Sequence, residues 1–424
     1  MHSDVQIIGC GLSGSECAMF LISKGIDVTI KEMRPFKMTE AHKTGYFAEL
    51  VCSNSLKSDE TNNAQGILKM EMKNIGSKVL EFAYKNRIKG GKALVVDRER
   101  FAKDITDYIE SNAKVIREEA INIDESKINV IATGPLTSKN FLVFLKRLTG
   151  EKNLYFYDAV SPIILSSSID YDYAFWGSRN KEGDDYLNLP LTKEEYEKFV
   201  KEIKNAEMHL PHIKEDLFFK GCMPVEEIAK TGKDSLRFSV MKPVGLKFPE
   251  RFKDAYACVQ LRREDNEGKA FSIVGFQTRL KISEQERVFR IIPALRNAVF
   301  LRYGMIHRNT YINTPILLDK FLRLKDNIFI IGTLIGLEGY MEATLSGLYA
   351  GINIERIIRG KKPVPPPEGT IFEGIFSYLF EKRASFKPIN ANFGILKNYN
   401  KKEKDKILEN SIKKIKEWEE FYEI

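Results

Sequence analysis

The first thirty-two residues constrain this chain more than any other stretch. Val5-Gln6-Ile7-Ile8 is a short apolar run of the kind buried as a strand. Gly9-Cys10-Gly11-Leu12-Ser13-Gly14 follows, and then Cys17, Phe20 and Leu21 recur at helical spacing. Val28-Thr29-Ile30 reads as a second strand and runs into Lys31-Glu32. Strand, glycine turn, helix, strand and acidic residue arrive in the order of a dinucleotide-binding βαβ unit. In that unit Gly9 permits the tight turn, Gly11 lets a pyrophosphate approach the backbone, and Gly14 lets helix and strand pack closely. The diphosphate sits at the positive end of the helix. Glu32 stands where a carboxylate accepts hydrogen bonds from ribose hydroxyls.

Two later glycine motifs favour FAD over NAD. Ile131-Ala132-Thr133-Gly134-Pro135 resembles the second glycine motif of two-domain flavoproteins. Ile330-Ile331-Gly332, followed by Gly336, Glu338, Gly339 and Gly347, resembles their last motif, where a strand and a helix start approach the ribityl chain and flavin ring. The apolar strands 129–132 and 328–331 suit a parallel sheet covered by helices on both faces. The expected fold is therefore α/β: a discontinuous Rossmann-like FAD-binding domain, residues 1–155 and 326–424. Residues 156–325 alternate short strands with loops and aromatics and read as an inserted α+β domain, facing RNA or folate. Leu68, Met72, Ile75, Val79 and Phe82 step by three or four as one helix face. The proline-rich stretch 361–367 reads as a stiff linker or crossing segment, and Leu408, Ile412, Ile415 and Trp418 as a C-terminal amphipathic helix.

A chain of 424 residues suggests two or three compact units. It has no apolar run long enough to span a membrane and no signal peptide at its N-terminus. The five cysteines, Cys10, Cys17, Cys52, Cys222 and Cys258, form no CxxC pair. That pattern argues against a metal site or a disulfide framework and fits a reducing cytoplasm. The net charge is +8, and residues 218–310 alone hold 18 Lys or Arg against 10 Asp or Glu. This basic middle is either a contact for a polyanion such as RNA or a solvated charged surface.

Two of the cysteines have surroundings that suggest chemistry. Leu50-Val51-Cys52-Ser53-Asn54-Ser55 sets a thiol beside small polar residues expected to cap a helix. Cys222 precedes Pro224, Glu226 and Glu227, which suit a helix start, and Lys220 is close in sequence. A helix N-terminus and a neighbouring cation both favour the thiolate, the form suited to covalent catalysis. Cys10, Cys17 and Cys258 lie in apolar segments and read as small buried residues.

Longer blocks then carry a resemblance. They include FAELVCSNSLKSD (47–59), GGKALVVDRERF (90–101), FYDAVSPI (156–163) and GCMPVEEIAKTGKDSLRFSVMKPVGL (221–246). VGFQTRLK (274–281), LRYGMIHRNTYINTP (301–315), GLEGYMEATLSGLYAG (336–351) and NANFG (390–394) continue it. Over residues 4–396 the chain closely resembles the bacterial folate- and FAD-dependent tRNA (uracil-5-)-methyltransferase family, TrmFO, once called Gid. It departs at Lys220, where the family usually has Glu, at Thr333, where it usually has Gln, and in a lysine-rich tail after Leu396.

The resemblance implies a reaction. A methylene from 5,10-methylenetetrahydrofolate passes to C5 of a uracil, in the family the T-loop uridine 54 of tRNA. FAD takes part in the transfer, and NAD(P)H is the reductant. Uracil C5 becomes nucleophilic once a thiolate adds at C6, and a base must later remove the C5 proton. On this reading Cys222 attacks C6 and Cys52 is the acid/base partner, although the roles could be reversed. His307, Arg308 and Asn309 either hold folate against the flavin or form a structural polar cluster. Arg262, Arg279 and Arg290 are candidates for RNA phosphate contacts. Four alternatives remain beside it: the same chemistry on ribosomal RNA, an FAD-dependent tRNA wobble-uridine modifier of the related MnmG type, which has a much longer C-terminal helical region, an FAD/NAD(P)H thiol oxidoreductase using Cys52, and an RNA-binding flavoprotein without catalysis. The sequence leaves the oligomeric state open.

Overall fold

The structure is a computed structural model that describes residues 5–150, 154–209, 223–383, 385–396 and 404–424. Its central sheet has six strands in the order Arg323–Lys325, Ile328–Ile330, Ile128–Ile131, Val5–Ile8, Val28–Lys31 and Lys114–Ile116. All neighbours are parallel except Arg323–Lys325, which joins one edge antiparallel. The inner strands are apolar because helices cover both faces: Val5, Ile7, Ile8, Val130 and Ile131 are all buried. Each such side chain contributes roughly 1.5–3 kcal/mol through removal from water.

The first helix, Leu12–Ser23, packs on helix Tyr340–Ile358. Glycine sets how closely they approach: a Cβ on Gly347 would lie 2.1 Å from the Ser13 carbonyl oxygen. The periodic stretch from Leu68 to Phe82 forms two helices, Ala64–Asn74 and Lys78–Lys85, rather than one face. Gly76 turns the chain with φ +89°, and the Ser77 side chain caps the second helix by accepting from the Leu80 N–H. Helical spacing of three and then four residues, Met72 to Ile75 to Val79, carried across the break and hid the cap from a reading by periodicity.

Residues 163–302 build a second, wholly antiparallel sheet in the order Phe175–Ser178, Lys181–Leu191, Ala257–Arg263, Ala270–Ile273, Ile163–Leu165 and Phe300–Arg302. Helices Lys193–Asn205, Val225–Lys230 and Ile282–Phe289 lie beside it. The buried apolar side chains accordingly fall into two clusters, one running from Ile164 to Ala298 and the other made by the rest of the chain. A two-stranded antiparallel ribbon, Leu154–Ala159 with Ile306–Tyr311, carries the chain between them.

The C-terminal helix Lys404–Tyr422 buries Ser411, Ile415 and Trp418. Segment 361–367 is a docked crossing rather than a free linker. The Val364 N–H donates to Asn353 Oδ1 at 2.7 Å, and Trp418 Nε1 donates to the Pro365 carbonyl at 2.8 Å.

Candidate functional site

The carboxyl ends of three adjacent parallel strands open into one cleft holding about 1020 Å³ of space outside the atoms. Gly9 and Gly11 line it after strand Val5–Ile8, Glu32 after Val28–Lys31, and Thr133 and Gly134 after Ile128–Ile131. Ligands of open α/β sheets bind at this edge. Gly9 turns with φ +88°, and a Cβ there would meet the Ala132 carbonyl oxygen at 2.7 Å. A Cβ on Gly14 would meet the Gly9 carbonyl oxygen at 2.1 Å, so strand turn and helix touch through glycine alone. Gly11 differs, because a Cβ on it meets nothing within 4 Å. It is the N-cap of the first helix and offers no side-chain cap, which leaves the first-turn N–H groups for a ligand. A bare backbone cradle at a helix N-terminus, open on the cleft side, fits a dinucleotide pyrophosphate.

Glu32 is buried and held on several sides. Its carboxylate accepts from the Cys10 N–H at 2.9 Å and from Arg34, backbone and guanidinium, at 3.0–3.2 Å. Burial pushes this carboxyl up, but the Arg34 charge and the hydrogen bonds outweigh it and hold it below the usual carboxylate range. Arg34 stands two residues beyond Glu32, a neighbour that pattern matching on the glycines passed over.

The last glycine motif frames the cleft without lining it. Thr333, Tyr340 and Ala343 face the cleft. The Gly332 N–H donates to Ser346 Oγ, Gly336 pairs with Ile389, and Gly339 caps helix Tyr340–Ile358. Glu338 turns away, toward Lys57 Nζ at 3.6 Å. Burial pushes the Glu338 carboxyl up to about 7, despite the lowering pull of Lys57.

Cys52 does not line this cleft but follows Val51, which does. The expected helix cap is absent: Cys52-Ser53-Asn54 runs into a strand, Ser55–Ser58. Tyr340 takes over the polar role. Its hydroxyl oxygen accepts from the Cys52 N–H at 2.8 Å and from the Ser53 N–H at 3.2 Å. The adjoining residues are bonded to the antiparallel sheet. Arg262 donates to Asn54 Oδ1 at 2.9 Å and Ser53 Oγ at 2.7 Å, and Asn54 Nδ2 donates to the Arg263 carbonyl at 2.8 Å. Arg98 pairs with Glu264 across the same seam at 2.7 Å. Arg262 is thus a positioning group for the cysteine segment, not a free phosphate contact. The Cys52 thiol lies 3.9 Å from the Ala159 carbonyl. Burial first, then the charge of Asp158, pushes it up to about 12, against Arg98 and Arg302. Cys222 and Lys220 lie outside the described residues; Pro224 is the N-cap of helix Val225–Lys230.

Strand alternation separates the suggested His307-Arg308-Asn309 trio. His307 and Asn309 point inward and are buried, while Arg308 points outward and is exposed. Neither His307 ring nitrogen has a hydrogen-bond partner, and Glu40 is 4.0 Å from Nδ1. Burial, then Arg302 and Lys43, push this imidazole down to about 4. Arg279 is buried between Glu226 and Glu227, so it is engaged inside the second core rather than offered to a phosphate. Glu226 meanwhile accepts from Thr278 Oγ1 and the Arg279 N–H. Arg290 is partly exposed and pairs with Glu286 at 3.3 Å. Cys10, Cys17 and Cys258 are buried. Among the described residues no group of three or more His, Cys, Asp or Glu is placed to hold a metal ion, and no helix is long and apolar enough to cross a membrane.

Comparison with known proteins places this architecture. The family model described as "Glucose inhibited division protein A" matches residues 4–362. A Thermotoga maritima protein named "Methylenetetrahydrofolate--tRNA-(uracil-5-)-methyltransferase TrmFO" is 54% identical over 409 residues, covering 95% of this chain and 94% of its own. Proteins of the same name from Moorella thermoacetica and Aquifex aeolicus are 47% and 48% identical, covering 97% and 96% of this chain and 96% and 93% of their own. The crystal structure of Aquifex aeolicus GidA in form II superposes with a TM-score of 0.69 at 17% identity, over 99% of this chain and 78% of that one. That likeness shows a shared Rossmann-like fold, and the sequence identities go further: the chain belongs to the TrmFO family, within the wider glucose inhibited division protein A family.

Proposed function

We propose that this protein methylates C5 of a uracil in tRNA, with 5,10-methylenetetrahydrofolate as one-carbon donor, FAD in the cleft and NAD(P)H as reductant. One observation supports the reading beyond kinship: Tyr340 lines the cleft and accepts from the Cys52 N–H, which ties the cysteine segment to the cleft wall. Bound FAD supplies the two-electron reduction that turns a transferred methylene into a methyl group. Gly9 and Gly11 would hold its pyrophosphate, with Gly14 packing the helix against the turn, and Glu32 and Thr133-Gly134 would border its adenosine side.

The protein's own part is nucleophilic and acid/base chemistry. Addition of a thiolate to uracil C6 moves the ring electrons toward C5, which then attacks the one-carbon unit. Loss of the C5 proton to a base and expulsion of the thiolate restore the ring. On this reading Cys222 adds to C6 and Cys52, whose thiol burial pushes up, is the acid/base partner. The T-loop uridine 54 is the target.

The test is direct. Protein is incubated with FAD, NADPH, methylenetetrahydrofolate and unmodified tRNA transcript, and the RNA is digested for mass spectrometry. 5-Methyluridine at the T-loop supports the reading. Product on ribosomal RNA alone would move the substrate, and NADPH turnover with no methylated RNA would leave a thiol oxidoreductase.

A further inference from the structure

We infer that the outer face of the ribbon joining the two cores is a stacking platform for RNA bases next to the target uridine. The inference rests on the RNA reading above and adds to it a surface and a mode of contact. Side chains of a strand alternate between faces, and same-face positions repeat about every 7 Å. Inward on this ribbon stand Phe156, His307 and Asn309, all buried. Outward stand Tyr155 and Arg308, with Tyr155 46% exposed. Arg308 lies over the Tyr155 ring, 5.4 Å from its centroid, and Tyr157 meets the same ring edge-on at 6.1 Å.

Position links this face to the thiol. The ribbon strand bearing Tyr155 and Tyr157 ends at Ala159, whose carbonyl is 3.9 Å from Cys52 Sγ. A chain laid along the strand from Cys52 therefore meets the ring of Tyr157 and then that of Tyr155. Among the described residues no carboxylate pairs with Arg308. An exposed aromatic ring beside an available guanidinium offers a flat ring a face to stack on and an anion a charge to pair with. It suits unstacked bases with a phosphate alongside, because every base offers a π-face and Arg adds both cation–π contact and charge. Unpaired loop nucleotides are the part of a folded RNA that can present bases this way.

Equilibrium binding of FAD-loaded protein to unmodified tRNA transcript, by filter retention at fixed salt, tests the platform. Tyr155→Leu keeps the side chain's bulk on the strand but removes the π-face, and should weaken binding about tenfold; Tyr155→Phe should stay within about twofold of wild type. Arg308→Ala should weaken binding by about as much as Tyr155→Leu. Wild-type affinity in both Tyr155→Leu and Arg308→Ala overturns the platform while leaving the methyltransferase reading intact. Failure of the wild-type protein to bind tRNA or ribosomal RNA overturns both.

Discussion

The glycine cleft and the cysteine seam sit side by side and are built on opposite plans. In the cleft the buried charge is satisfied within the protein: Glu32 is held by Cys10 and Arg34, and the turn is closed by glycine contacts. At the seam buried polar atoms stay unmatched, among them both His307 nitrogens, Arg302 Nε and Glu342 Oε2. A buried polar group without a partner is destabilising by about 1–3 kcal/mol, which a chain tolerates where a substrate completes the set. The cleft is a finished receptor whose ligand meets backbone. The seam is an unfinished one whose side chains wait for polar atoms from outside.

The contrast can be broken in several places. The largest expected effect is at the seam. Cys52→Ala should lower RNA methylation by about a thousandfold, the range for losing a positioned acid/base, while bound flavin stays near wild type. Equal loss of flavin would show that the two regions are not separable. Gly14→Ala should do the reverse. Its Cβ would strike the Gly9 carbonyl oxygen at 2.1 Å, a backbone atom that cannot swing aside, so we expect about 3 kcal/mol of destabilisation and little retained flavin, read from the melting midpoint and the absorbance near 450 nm. Gly11→Ala, with open space around it, should keep the fold and lose only flavin affinity; a matching loss of stability would refute the cradle.

The unmatched histidine gives a pH signature. His307 is pushed from its ordinary 6.5 down to about 4, so the unfolded chain takes up a proton that the folded chain refuses. Its contribution is fully present above about pH 6.5 and is lost as pH falls toward 4, roughly 3 kcal/mol in total. Glu338, pushed up to about 7, acts in the opposite sense between about 4.5 and 7, so the useful quantity is the wild-type slope minus that of His307→Gln. Denaturant titrations at pH 4, 5, 6 and 7 should show the two curves converging on acidification; parallel curves would refute the assignment. The smallest effect lies far from both regions. Ser411→Ala removes the C-terminal helix's hydrogen bond to the buried Glu71 and should cost about 1 kcal/mol, measured by thermal melting. No shift would mean that the helix docks through Ile415 and Trp418 alone.

The two regions also differ in how much of each could be read before the structure. Gly9, Gly11, Gly14 and Glu32 act through local geometry at fixed spacing, so a one-dimensional pattern holds most of the cleft. The seam is made by residues up to 288 positions apart, as in the Cys52–Tyr340 bond, and no spacing rule reaches that far. Tyr340 sat within a matched block and directly after Gly339, and that position is the signal that singles it out. Arg279 looked like any other basic residue, and only the fold shows that Glu226 and Glu227 already claim it. The polar run after Cys52 resembled a cap because Ser and Asn serve turns, strand entries and caps alike.

The bonds from Arg262 and Arg263 to Ser53 and Asn54 have a consequence for heat inactivation. The cysteine's neighbours belong to one core by sequence but are anchored to the other. Any warming that loosens the cores from each other displaces the thiol before it disturbs the glycine turn, which lies within a single core. An ageing preparation should therefore stay yellow after it has stopped working, and colour would be a poor guide to how much of it is still an enzyme.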